Sequence, residues 1–161
     1  MILINNTVLS NFALVKELEI LTFALKDIFP MTTPQVLDEF QSGVQKGIFQ
    51  TANLQWIEII QLSRRERHRY KILNERFGSG EASCIAVAME RHIALATDDM
   101  KARKLLQQFG EIVIGTLWIL VRLINQNTLS TVEGDIILER MIQKGYFSPV
   151  KSLSELLVTK K

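Results

Sequence analysis

With 161 residues, 47% hydrophobic and 22% charged, the chain has enough apolar material for its own core and is neither a disordered tail nor a disulfide-stapled mini-protein. A formal charge of +2 is too small for total charge to argue for a nucleic-acid partner, so that argument must rest on how charge is distributed. The single cysteine, Cys84, excludes an internal disulfide and has no Cys or His at metal-ligand spacing, which points to a reducing cytoplasm.

The apolar start, residues 1–9, lacks a basic lead and a small-residue cleavage site, and Asn5 and Asn6 interrupt it, so 2–5 predicts a buried strand rather than a signal. Residues 8–25 carry Leu9, Phe12, Leu14, Leu18, Leu21 and Leu25 at helical spacing and predict one or two helices. Residues 27–29 predict a second strand, stopped by Pro30. Thr33 before Pro34 has the form of an N-cap and first helical residue, opening a helix through Val36, Phe40 and Val44 that Gly47 ends. Residues 56–62 predict a third strand. Ser63 caps a helix that opens on Arg64, Arg65, Glu66, Arg67, His68 and Arg69 and ends near Gly78.

Ser79, Gly80 and Glu81 start the next helix, whose Ala82, Ala86 and Ala88 suit close packing against a sheet. A strand at 93–96, a helix at 100–109, a strand at 112–114 and a helix at 117–124 follow. This alternation predicts a doubly wound, mostly parallel sheet. Residues 131–145 and 150–158 predict two extra helices, so that 1–128 forms the α/β core and 129–161 a helical extension of one domain. The greasiest stretch, 112–124, contains Arg122 and is shorter than the roughly 20 residues of a membrane span.

In an open parallel sheet, ligands bind beyond the carboxyl ends of the strands. There the sequence places Asn5 and Asn6 after the first strand, and Asp98 and Asp99 after the fourth. Glu81 opens the helix leading into that strand, and Glu39, in the helix opened at Thr33, can reach the same corner. Carboxylates with few other polar groups suit a hard cation such as Mg²⁺ or Mn²⁺, completed by water and a substrate phosphate. Such an ion activates water and stabilises an in-line attack on phosphorus, so no Ser or His nucleophile is needed. Each residue also has a plainer reading: Glu81 as a complement to a helix dipole, Asp98 or Asp99 as an N-cap, Glu39 as a solvated carboxylate.

The runs Gly80-Glu81-Ala82-Ser83, Ala86-Val87-Ala88, Leu95-Ala96-Thr97-Asp98-Asp99, Lys101-Ala102-Arg103 and Gly115-Thr116-Leu117, with the Val-x-x-Glu step at Val36 and Glu39, resemble the PIN domain family. Within it, the resemblance is to a prokaryotic branch related to VapC-type toxins. It implies a three-layer α/β/α domain over most of the chain. It further implies a Mg²⁺- or Mn²⁺-dependent ribonuclease, the toxin of a toxin–antitoxin pair, that forms homodimers and meets a small antitoxin protein. The acidic positions map to Asn5, Glu39, Glu81 and Asp99, with Asp98 beside the last as a ligand or substitute. Catalysis then falls to Glu39, Glu81 and Asp99.

The departure is Asn5, where the family usually has Asp: an amide offers a carbonyl oxygen without charge and should hold a metal less tightly. The rival reading is a weak or inactive PIN-like module that binds RNA or a protein. Thr7 and Asn11 are placed to hydrogen-bond the site or a scissile phosphate, or simply to cap a turn. Lys101, Arg103 and Lys104, directly after the acidic pair, are candidates for the RNA backbone. The Arg64, Arg65, Arg67, Arg69 and Lys71 cluster reads as a solvated helical face, and Trp56 and Trp118 as core. No Gly-x-Gly-x-x-Gly or Walker-type loop supports a nucleotide-cofactor enzyme.

Overall fold

A computed structural model describes residues 1–157. Its five strands, β1 (Ile2–Ile4), β2 (Pro30–Thr32), β3 (Glu58–Ile59), β4 (Ala94–Ala96) and β5 (Val113–Ile114), lie in the order β3-β2-β1-β4-β5, and every pairing is parallel. Central β1 is wholly buried, as a strand covered on both faces must be. Helices complete a three-layer α/β/α arrangement.

The chain leaves β1 through α1 (Asn6–Leu14) and α2 (Ile20–Leu25), and α3 (Pro34–Gln45) joins β2 to β3. A hairpin of α4 (Arg64–Leu73) and α5 (Ser79–Arg91) then leads to β4, and α6 (Met100–Gln108) to β5. After β5 come α7 (Thr116–Asn125), α8 (Thr131–Gln143) and the short α9 (Ser154–Leu157). Gly80, Ala82, Ser83, Cys84, Ala86 and Ala88 of α5 are all buried. These small side chains let α5 pack closely on α3 and α4 and beside β1 and β4. Among the described residues, no helix is long and apolar enough to cross a membrane.

Four expectations shift. Residues 27–29 do not form a strand: Lys26–Ile28 is a 3-10 turn, Phe29 takes a left-handed φ of 50°, and β2 begins at Pro30 itself. Proline is tolerated as the first strand residue because it needs to donate no ladder hydrogen bond there. The strand at 56–62 contracts to two exposed edge residues, Glu58 and Ile59, while Ile57, Ile60 and Leu62 turn into the core. The helix at 150–158 contracts to α9, and Val158 lies outside the described residues. Trp118 is also not core: it is 40% exposed, with the Arg122 guanidinium 5.4 Å from its ring centre.

Ser63 caps α4 as expected and forms a full capping box with Glu66. Glu66, 2% exposed, also takes Arg91 Nε at 2.6 Å and Nη2 at 2.9 Å, tying α4 to the end of α5. The Arg91 guanidinium, with help from the Ser63 backbone, holds the Glu66 carboxyl below its usual 4.5. A depressed folded-state pKa contributes stability that is present above 4.5 and lost as pH falls. Glu66→Gln should therefore cost about 2 kcal/mol in urea unfolding at pH 7, with the gap to wild type closing only as pH drops below 4.5.

Candidate active site

The switch point of this sheet lies between β1 and β4, because the chain leaves β1 toward β2 and returns on its other side at β4. Ile4 pairs with Ala96, and the Asn5 N–H donates to the Ala96 carbonyl at 3.0 Å. Asn5 and the run Thr97-Asp98-Asp99 therefore emerge side by side at the carboxyl edge.

Asn5 is buried and serves as N-cap of α1, its Oδ1 accepting from the Asn6 N–H at 2.7 Å. That bond sets the amide orientation, since the reverse would put an NH₂ against an N–H. Nδ2 consequently donates to Glu81 Oε1 and to Thr97 Oγ1, both at 3.2 Å. Thr97 Oγ1 also meets Thr7 Oγ1 and accepts from the Asp99 N–H, so one buried hydroxyl links both strand ends.

Three carboxylates reach this corner from different helices. Glu81 stands in the first turn of α5. Glu39, on α3, accepts the Gly80 N–H through Oε1 at 2.7 Å. A Cβ on Gly80 would lie 2.5 Å from Glu39 Oε2, so only glycine admits this approach. Asp99 caps α6, its Oδ1 accepting from the Ala102 N–H at 2.8 Å. Burial, then the charges of Asp99 and Glu39, push the Glu81 carboxyl up to about 7 against the opposing effects of Asn5 and Lys101. Glu39, Glu81 and Asp99 thus share one negative environment.

Asp98 has a different task. Oδ1 accepts from the Thr116 N–H at 2.9 Å, and Oδ2 from Thr116 Oγ1 at 2.6 Å and Asn11 Nδ2 at 2.9 Å. It anchors the start of α7, and the absent Cβ of Gly115 leaves room for it. Thr7 Oγ1 accepts from the Asp98 N–H, so Thr7 and Asn11 both brace this loop. Arg103 donates through Nη1 to the carbonyls of Thr97 and Ile114, pinning the ends of β4 and β5, whereas Lys101 and Lys104 are exposed.

Sequence reasoning missed three neighbours. Thr116 lay inside a recognised run but carried no sign of its bonds to Asp98. Tyr146, whose phenol is held above its ordinary range by burial and the Asp98 charge, comes from after α8, beyond any local pattern. Gln35, one turn before Glu39 on α3, ends in a buried carbonyl oxygen with no donor among the described residues. Cys84 is no nucleophile, since complete burial pushes its thiol up to about 12.

Hard oxygen donors with excess negative charge match the chemistry of a small divalent cation. Glu39 and Asp99 each spend one oxygen on a backbone N–H and keep a second. Among the described residues, no three His, Cys, Asp or Glu side chains already stand in ligating geometry. The donor set fits such an ion by type and charge, with the carboxylates resting on protein donors.

A parallel α/β/α sandwich that gathers acidic side chains at its switch point defines the class as an open α/β domain with an acidic site at the carboxyl edge of its sheet. The model of the PIN domain family matches residues 1–161, and the chain belongs to that family. Searches of curated proteins and of solved structures give no match. PIN domains are nuclease-type modules that generally use divalent metals.

Glu81 makes the site sensitive to pH. Below 4.5 it is protonated folded or unfolded; between 4.5 and about 7 the folded chain keeps a proton the unfolded chain has lost, so stability declines as pH rises through that window. Glu81→Gln should melt about 2 °C or more above wild type at pH 8 in metal-free buffer, and level with it at pH 4. Thermal unfolding at the two pH values checks this.

Proposed function

We propose that this protein is a Mg²⁺- or Mn²⁺-dependent ribonuclease that hydrolyses RNA phosphodiester bonds at the β1–β4 switch point. The observation that carries the reading is the convergence of Glu39, Glu81 and Asp99 from three helices on one corner, where burial, then the Asp99 and Glu39 charges, push the Glu81 carboxyl up to about 7. Those three side chains would hold the metal. When bound, it supplies charge for the phosphoryl oxygens and lowers the pKa of an attacking water.

The chain's own residues then have distinct roles. Glu39 and Asp99, each fixed by a backbone N–H, present a free oxygen apiece. Asn5 orients Glu81 through Nδ2 and takes the place of a fourth charge. Asp98 is read as a brace rather than a direct ligand, since both its oxygens are engaged. Exposed Lys101 and Lys104 are free to meet the phosphodiester backbone, while Thr7, Asn11 and Arg103 hold the loop that presents it. A toxin role, with homodimers and a small antitoxin partner, rests on the sequence resemblance, and a cytoplasmic location on the single cysteine, Cys84.

Asn5 also supports a second reading, a weakened or inactive module that binds RNA or a protein. An Asp here would turn an oxygen toward Glu81 where Asn5 turns an N–H donor. The test is incubation of purified protein with single-stranded RNA, with Mg²⁺ or with chelator. Cleavage should require the metal, fall about 100-fold or more in Asp99→Asn, and rise about tenfold in Asn5→Asp at limiting Mg²⁺. Cleavage that survives chelator or the Asp99→Asn change would remove the nuclease reading, and no cleavage in wild type or Asn5→Asp would leave the binding module.

A further inference from the structure

The modest total charge conceals a sharp separation. Helix α4 holds five basic side chains, Arg64, Arg65, Arg67, Arg69 and Lys71, against one acidic, Glu66, for a net +4. The whole chain carries +2, so everything outside this helix sums to −2. Two of the five are occupied: Arg69 grips Glu90 at 2.6 Å, and Arg67 donates to the Leu62 carbonyl. Glu66 is buried against Arg91 and faces away from solvent.

Arg64, Arg65, His68 and Lys71 are left without a hydrogen bond or ion pair to any described residue, and His68 and Lys71 are exposed with both arginines. Positions 64, 68 and 71 follow helical spacing, and 65 adjoins them, so the four form a single stripe. A groove lined by Arg64, Arg65, His68, Arg69, Ile72 and Glu90, the last neutralised by its pair with Arg69, runs along it. Like charges at i, i+3 and i, i+4 repel and destabilise a helix slightly, so an uncompensated stripe of them costs stability. Here the only acidic residue of α4 is withdrawn into the core, and the free cations face outward together.

We propose that this stripe on α4 is a binding surface for the RNA backbone, guiding the strand toward the carboxylate site. The hairpin geometry gives the direction. Only residues 74–78 separate α4 from α5, and Tyr70 Oη lies 2.9 Å from Ser79 Oγ, so the end of α4 sits beside the start of α5, two residues before Glu81. The helix spans about 15 Å, and a polyanion along it passes from Arg64 at the far end to Lys71 at the site end. Arginine forks suit phosphate oxygens, and Ile72 alone supplies an exposed large apolar side chain here, too little for the apolar centre of a protein interface. RNA is therefore favoured over an acidic protein segment. The assignment rests on the ribonuclease reading but concerns binding remote from the reacting phosphate.

The experiment separates the two. Anisotropy of a labelled single-stranded RNA, long enough to cross both surfaces, is titrated with full-length protein in chelator across a series of salt concentrations. The comparison is with Arg64→Ala/Arg65→Ala/Lys71→Ala and with a charge-matched control, Lys16→Ala/Lys46→Ala/Lys144→Ala. The α4 triple variant should lose at least tenfold in affinity and its salt slope should fall by about 2, while the control stays near wild type. Equal loss in the two variants, no loss in the first, or no RNA binding by wild type would overturn the proposal, as would displacement of RNA by oligo-glutamate as effective as that by unlabelled RNA. Metal-dependent cleavage of a dinucleotide, too short to reach α4, is measured separately; its absence would count against the nuclease reading and leave the binding assignment standing.

Discussion

The site depends on holding like charges together at the edge of a dry core. Glu39, Glu81 and Asp99 come from three helices, and each would relax outward unless something on the protein held it. Backbone N–H groups at helix starts do this for Glu39 and Asp99, and the Asn5 amide does it for Glu81. These donors are neutral, so they fix the carboxylates without cancelling their charge. At Glu81, burial and then the charges of Asp99 and Glu39 push the carboxyl up to about 7.

Parallel strand order supplies the rigid base for that arrangement. Because β1 and β4 are neighbours in register, residues 92 positions apart, Asn5 and Thr97, share a hydrogen bond, and Thr97 joins Thr7 and the Asp99 backbone in turn. Asp98 extends the same bracing to α7, and Arg103 closes the ends of β4 and β5. Negative charge is concentrated at this edge and positive charge along α4, a division that a net charge of +2 averages away.

Much of this was legible in the sequence for local reasons. The Thr33-Pro34 and Ser63-x-x-Glu66 starts are written in adjacent residues, and both helices begin there. The small residues of α5 announce tight packing, and the family runs placed Glu39, Glu81 and Asp99 in helix starts or facing them. What stayed hidden depends on contacts between distant segments or on backbone angles that side-chain type does not report. Residues 27–29 have a strand-like composition, yet the left-handed Phe29 moves the strand to Pro30. Two adjacent aspartates before a helix look interchangeable, and only the fold shows Asp99 capping α6 while Asp98 turns to Thr116. Arg103 resembled a phosphate ligand because nothing nearby in sequence reveals the two carbonyls it serves.

Asn5 gives the family pattern its local character: an acidic corner whose first-strand member donates a hydrogen bond where a carboxylate would add charge. The account requires that the remaining three carboxylates still gather one cation. The most direct measurement is anomalous diffraction from crystals soaked in Mn²⁺. A manganese peak bound jointly by Glu39, Glu81 and Asp99, with Asp98 still on Thr116, is the predicted result. Manganese bound elsewhere, or no peak at this corner at saturating Mn²⁺, would contradict it.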